Sequence, residues 1–323
     1  MKFPQLKHLI ESYDRFVITC HETPDGDAVG SEIALYHGLL DLGKRVEIIN
    51  ADPVPDKYGF LFEKGTVRTI DEIDLNQSFA DTALIILDTN DIHNIGTVGT
   101  KILPVTDEYF IIDHHESGDD IETGRVIEVE ASSTCEILYK IMRELEIPVT
   151  RPMAKALYAG VIYDTGCFAY PKTTAFTFQV AEDLVGRGAD PYQLYSAIYE
   201  SNSISSLKLQ SAVLAGLELY FNQQVAVQTM LKETLEEAGA LYEEADAIIN
   251  FPLRSETVRV SVFFKENTEG LLRCSLRSKG NINVSQIAQK YGGGGHKTAA
   301  GFKAPYPAEE MKRLILADLH PYF

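Results

Sequence analysis

Apolar residues along this chain follow two rhythms, and the switch between them divides the sequence. In the first half, strand-like runs occur at Phe16–Cys20 and Val46–Ile49, interrupted only by Thr19 and Glu47, and unbroken apolar runs at Ala83–Leu87 and Tyr109–Ile112. Between the first two, Ile33, Leu35, Leu39, Leu40 and Leu42 predict a helix that stops at Gly43. Runs apolar at every position suit strands buried on both faces. Their alternation with helical segments predicts βαβ units and a parallel sheet. Ser133 and Glu136 have the spacing of a capping box, opening a helix with Ile137, Leu138, Ile141 and Leu145 on one face. Helical spacing continues over Met153–Tyr163 and Ala175–Leu184.

Beyond this point the rhythm changes. The stretch from Pro191 to Leu217 is mostly helical, and strands are expected at Val225–Met230, Val258–Phe264 and Leu271–Leu276. A Gly292–Gly295 run follows a short amphipathic segment, and Met311, Leu314, Ile315 and Leu319 share one side of a last helix. The predicted class is α/β. A parallel-sheet domain is expected over residues 1–190, a helical connector over 191–218, and a smaller α/β domain with a Gly-rich loop over 219–323.

Composition narrows the partners. The chain has 323 residues, 29 Lys and Arg against 47 Asp and Glu, and a formal charge of −18. An anion of that size argues against broad binding to long duplex nucleic acid or to an acidic membrane, which needs clustered cations. The charge is uneven. Residues 253–303 carry nine Lys and Arg and three Asp and Glu, a local +6, which leaves −24 on the remainder. Cys20, Cys135, Cys167 and Cys274 form no CxxC pair, which argues against a thiolate zinc site and fits reduced thiols. Met1–Arg15 lacks the apolar core of a signal peptide, and no apolar run approaches the ~20 residues of a membrane span. A cytoplasmic protein is expected, with no membrane partner; a homodimer is compatible with the sequence.

Three of the predicted strands run straight into Asp and His. Phe16–Cys20 is followed by His21-Glu22-Thr23-Pro24-Asp25-Gly26-Asp27, Ala83–Leu87 by Asp88-Thr89-Asn90-Asp91, and Tyr109–Ile112 by Asp113-His114-His115. In an open parallel sheet the carboxyl ends of the strands share one edge, where ligands bind. Asp164 ends the apolar run Ala159–Tyr163. If that run is helical, its carboxylate sits at the negative end of the helix dipole and needs a cation to offset it. Asp and Asn after strands also serve simply as terminators and helix caps. Delivery by three separate strand ends favours a shared site. Crowded carboxylates raise each other's pKa values, and divalent cations remove that conflict. Carboxylates with a minority of imidazoles suit manganese or magnesium. Asp25, Asp27, Asp88 and Asp164 with His21 and His114 make six candidate ligands, enough for two ions sharing one carboxylate.

The motifs together resemble the DHH family of phosphoesterases, in particular its nanoRNase and pAp phosphatase group. His21-Glu-Thr-Pro-Asp25-Gly-Asp27-Ala-Val-Gly-Ser31 matches the family's first motif, Asp88-Thr89 the second, Asp113-His114-His115 the third and Tyr163-Asp164-Thr165-Gly166 the fourth. Gly292-Gly-Gly-Gly-His296-Lys-Thr-Ala-Ala-Gly301-Phe302 is similar to the associated substrate-binding domain. The resemblance implies two Mn2+ ions, with Mg2+ also compatible. His21 and Asp25 would hold one ion, Asp27, His114 and Asp164 the other, with Asp88 bridging and a hydroxide attacking phosphorus. It also implies that His115 stabilises charge on the scissile phosphate. Asp113 reads from its position either as a ligand or as a residue that orients a histidine. One departure is Asn94, where the family's second motif leads one to expect an arginine.

At the carboxyl end, Lys297-Thr298 follows His296 rather than Gly, so the run is not a P-loop. Glycines there would let backbone amides approach an anion. The resemblance singles out Arg277, Ser278, Gly294, Gly295 and His296 as substrate contacts. The expected activity is hydrolysis of short single-stranded RNA (nanoRNA) to mononucleotides and of pAp to AMP. Substrates of roughly two to five nucleotides would be favoured if both ends are gripped. Two alternatives stand beside it: cleavage of linear dinucleotides such as pApA, and a noncatalytic nucleotide-binding module. The complete ligand set argues against the second.

Overall fold

The computed structural model describes residues 3–75, 77–115 and 124–323. The chain divides into two compact units, Met1–Ser201 and Asn202–Phe323. In order, the first unit contains α1 (Pro4–Ser12), β1 (Arg15–Cys20), α2 (Gly26–Asp41), β2 (Arg45–Asn50), β3 (Val67–Thr69) and β4 (Thr82–Leu87). Then come α3 (Gly96–Lys101), β5 (Glu108–Asp113), β6 (Gly124–Ile127), α4 (Thr134–Glu144), α5 (Arg151–Asp164), α6 (Ala175–Gly186) and α7 (Pro191–Tyr199). Among the described residues its sheet has six strands, in the order β3-β2-β1-β4-β5-β6, all parallel.

The unbroken apolar runs have a direct cause. Phe16, Ile18, Ile85, Leu87, Phe110 and Ile112 pack into one core with α1, α2 and α4–α7, while Val17, Leu84, Ile86 and Ile111 pack into a second core with Ile95, Val98 and Ile102. Both faces of β1, β4 and β5 are therefore covered, so their central positions are apolar apart from the buried Thr19 of β1. The edge strands β3 and β6 escape the sequence pattern because they are short and only partly buried.

The second unit contains α8 (Ile204–Ala215), β7 (Glu218–Tyr220), β8 (Val225–Met230), α9 (Lys232–Ala238), β9 (Val260–Glu266) and β10 (Leu272–Ser278). It ends with α10 (Val284–Lys290), β11 (Gly294–His296), β12 (Ala299–Lys303) and α11 (Ala308–Leu319). Its sheet runs β11-β12-β10-β9-β8-β7, with β8 parallel to β9 and the other pairs antiparallel. Half of the glycine run expected as a loop is thus an edge strand. Gly294 faces Gly301 and Gly295 faces Ala300 in the register with β12. A Cβ on Gly295 would lie 2.7 Å from the Ala300 Cα, so this glycine is explained by hairpin packing.

Helices α2 and α5 form the most intimate helix pair of the first unit. A Cβ on Gly30 would run into the Ala156 carbonyl oxygen, and one on Gly160 would lie 2.6 Å from Asp27 Oδ1 and collide with the Cys135 sulfur. These two glycines let α2, α4 and α5 meet at backbone distance beside Asp27. Gly160→Ala should lower the melting temperature by several degrees, because overpacking costs roughly 1–3 kcal/mol. It should also displace Asp27, so thermal stabilisation by Mn2+ should shrink in the variant. A variant with unchanged melting and unchanged Mn2+ response would refute this reading.

Candidate metal centre

Strands β1, β4 and β5 are neighbours, so their carboxyl ends open on one edge of the sheet. His21 follows β1 and Asp88 follows β4. Asp113 is the last residue of β5 and is followed by His114 and His115. Asp25 is the N-cap of α2, its Oδ1 accepting from the Asp27 and Ala28 amides at 2.9 and 3.1 Å. Asp27 lies in the first turn of that helix, and Asp164 is the last residue of α5.

Three overlapping groups of ligand atoms result among the described residues. They are His21, Asp25 and Asp88; Asp27, His114 and Asp164; and Asp88, Asp113, His114 and His115. Asp88 is common to the first and third, His114 to the second and third. Asp88 Oδ2 lies 3.6 Å from His21 Nε2, and Asp88 Oδ1 lies 3.6 Å from His114 Nε2. The two oxygens of one carboxylate therefore address two different histidines. The backbone at Asp88 is left-handed, φ 62°, a conformation Asp tolerates better than most residues.

All three histidines are oriented the same way. His21 Nδ1 lies 2.7 Å from the Glu22 carbonyl oxygen, His114 Nδ1 lies 3.4 Å from that of Ala131, and His115 Nδ1 lies 2.7 Å from Asp113 Oδ1. Each partner is an acceptor, so each neutral ring carries its proton on Nδ1 and presents a lone pair at Nε2, the arrangement of a metal ligand. The His114 Nε2 atom is buried, 2.9 Å from Asp164 Oδ2, yet forms no hydrogen bond of acceptable geometry. A buried imidazole nitrogen left among carboxylates fits a bound cation. So does Asp164 at the negative end of α5. The cluster could hold metal ions.

Burial drives the titration of the cluster. It pushes Asp27 up to about 6, helped by Asp164, and raises Asp88 well above the usual carboxylate range, helped by Asp27, Asp25 and Asp164. Asp25 is raised for the same reason, although His21 opposes the shift. For His114, burial acts downward, but the neighbouring carboxylates, Asp164 first, outweigh it and raise the ring.

The structure also shows groups that sequence reasoning missed. Helix α4 points its N-terminus at Asp27: the Thr134 amide donates to Oδ2 at 2.6 Å and the Cys135 amide to Oδ1 at 3.0 Å. Ser133 caps this helix as expected, accepting from the Glu136 amide. The second half of the expected capping box is different. The Glu136 carboxylate turns to Ser132 Oγ at 2.6 Å, Thr177 Oγ1 at 2.7 Å and Lys140 Nζ at 3.0 Å. Asn94, where an arginine was expected, donates its side-chain amide to Thr89 Oγ1, and its carbonyl oxygen accepts from Glu22. Its role here is to tie the loop after β4 to the loop after β1. Lys172 brings a cation to the edge of the cluster, donating to the His114 carbonyl oxygen at 3.2 Å.

In the second unit, Arg277 and Ser278 are consecutive on β10 and point to opposite faces. Ser278 is buried and donates to the Ile282 carbonyl oxygen at 2.7 Å. Arg277 is half-buried, in register with Ala299, which in turn pairs with His296. Burial lowers its guanidinium from the ordinary value. The side chain of His296 lies outside the described residues.

Comparison with known proteins gives the lineage. Residues 15–161 match the DHH family N-terminal domain, and residues 222–320 match the DHHA1 domain. Over 286 residues, the chain is 30% identical to a protein of Thermus thermophilus named bifunctional oligoribonuclease and PAP phosphatase NrnA, covering 88% of this chain and 82% of that one. The chain belongs to the DHH family. A Bacillus subtilis protein of the same name is 29% identical over 318 residues, 98% of this chain and 96% of its own. Among solved structures, an exopolyphosphatase-related protein from Bacteroides fragilis superposes with a TM-score of 0.92 at 26% identity, covering 99% and 96% of the two chains. Among the described residues no helix is long and apolar enough to cross a membrane.

The raised carboxylates set a pH test. A carboxyl group whose folded pKa exceeds its unfolded value binds more protons when folded, so its contribution to stability falls as pH rises towards the folded value. His114, also raised, contributes stability that is lost in the same direction. The metal-free protein should therefore melt at a lower temperature at pH 8 than at pH 5, and Mn2+ bound at these carboxylates should reduce that difference. A metal-free melting temperature that rises across this window would contradict the assignment.

Proposed function

We propose that this protein is a two-metal phosphoesterase that hydrolyses short oligoribonucleotides and dephosphorylates pAp, with manganese or magnesium as cofactor. One observation carries the reading: six Asp and His side chains stand in two groups, with the Asp88 carboxylate 3.6 Å from a histidine of each, in a chain similar over nearly its whole length to proteins named for those activities. His21, Asp25 and Asp88 fit one cation, and Asp27, His114 and Asp164 the other. Bound there, divalent cations supply a nucleophilic water at neutral pH and neutralise charge on phosphate oxygens.

The chain's own residues do the rest. Asp113 is fully buried and accepts from the His114 amide at 2.8 Å and from His115 Nδ1, so it fixes the His115 ring. His115 is the more exposed histidine of the pair and turns Nε2 away from Asp113. A phosphate next to that nitrogen favours a proton on it, and Asp113 stabilises the resulting imidazolium. His115 thus donates to a phosphate oxygen as charge develops. In the second unit, the desolvated Arg277 guanidinium is suited to an anionic group of the substrate. Gly294 and Gly295 carry the adjoining backbone, His296 completes the set, and Ser278 acts by holding the turn to Ile282. Localisation to the cytoplasm follows from a substrate of this class.

A substrate panel in added Mn2+ tests the proposal. A 5′-phosphorylated dinucleotide and pAp should be turned over far faster than a long oligonucleotide; a preference for pApA over other dinucleotides would shift the assignment to linear dinucleotide turnover. Equal turnover of long and short RNA would overturn the short-substrate reading. Asp88→Ala should lose more than the roughly 10²–10³-fold expected for one electrostatic contact, since Asp88 serves both groups. His115→Ala should lose about that factor in kcat with Mn2+ binding intact. Retained Mn2+-dependent turnover in Asp88→Ala would rule out the shared-ligand role.

A further inference from the structure

Thr134 opens α4 and is fully buried beside the acidic cluster. Its amide donates to Asp27 Oδ2 at 2.6 Å and its hydroxyl to Asp88 Oδ1 at 2.9 Å. Asp27 and Asp88 sit in different ligand groups, so one residue holds a member of each. The hydroxyl bond has a specific geometric effect. Asp88 directs Oδ1 towards His114 and Oδ2 towards His21, and rotation about its last side-chain bond would exchange or misalign the two. Terminal carboxylate torsions are soft, so such an orientation needs a partner to fix it. The Thr134 hydroxyl supplies one, on the oxygen facing His114.

The position of Thr134 is itself over-determined. Ser133 caps the helix start, and the buried Glu136 carboxylate bonds Ser132 and Thr177 on either side. Cys135, the next residue, bonds Asp27 through its amide and packs where Gly30 and Gly160 leave room.

The geometry points to Thr134 as a positioning residue that aligns Asp88 between the two cation sites and couples it to Asp27. This rests on the two-metal reading above. Outer partners of metal ligands typically carry 10–100-fold in metal affinity. Thr134→Val keeps the shape and the backbone amide and deletes only the hydroxyl. Thr134→Ala deletes it without filling the space, and Thr134→Ser keeps it.

Calorimetric titration of the metal-free full-length chain with Mn2+ is the test. The native chain should bind two ions. The Val and Ala variants should bind at least one of them about 10–100-fold more weakly, while the Ser variant stays within about threefold of native. In turnover, raising Mn2+ should return kcat of the Val variant towards native with the substrate KM unchanged, a rescue that general structural damage would not show. Native affinity in the Val and Ala variants, or an equal loss in the Ser variant, would overturn the role of the hydroxyl alone. A native chain that binds no Mn2+ would overturn the two-metal reading and this inference with it.

Discussion

Among the described residues, five carboxylates crowd the carboxyl edge of the first sheet, and Asp27, Asp88 and Asp113 are buried there. Burial and mutual repulsion both oppose their ionisation, and an uncompensated buried charge is among the most destabilising features a protein can carry. The surrounding structure reads as a set of responses to this constraint. Helix α4 presents two amides to Asp27, α2 presents two to Asp25, and the His114 amide and His115 ring both bond Asp113. None of these responses reaches the space between His21, Asp88, His114 and Asp164. Metal ions, which the cluster could hold, would resolve the remaining conflict, and the histidine Nε2 atoms are oriented for them.

The same constraint shapes the helices. For α4 to aim its N-terminus at Asp27, α2 and α5 have to approach without intervening side chains, which Gly30 and Gly160 allow. The metal cluster and the packing of the helix layer are one design in this unit. A substitution at Gly160 reaches Asp27 as directly as one at a ligand.

Much of this was legible in the sequence for physical reasons. Strands β1, β4 and β5 are buried on both faces, so they read as short runs with almost no polar interruption. Their abrupt ends in Asp and His marked the edge where chemistry could gather. Asp164 was legible as a carboxylate at the wrong end of a helix. Thr134 was not, because an ordinary threonine after a helix cap carries no signal until Asp27 and Asp88, over a hundred and over forty residues away in the chain, are placed beside it. The partner choice of Glu136 was hidden in the same way: local spacing suggested a capping box, and Thr177 from α6 overrode it. In the glycine run, sequence alone did not separate an anion-binding loop from an edge strand packed against β12.

The uneven charge of the chain fits the division between units. The first unit concentrates acid at an edge that could hold metal ions, and the second carries Arg277 on a sheet within a locally basic stretch. The central claim is that the acidic edge is a two-cation site organised around Asp88. Anomalous diffraction from crystals grown with Mn2+ tests it most directly. Two peaks are predicted, one among His21, Asp25 and Asp88 and one among Asp27, His114 and Asp164, with Asp88 touching both. A single peak, or peaks away from Asp88, would contradict it.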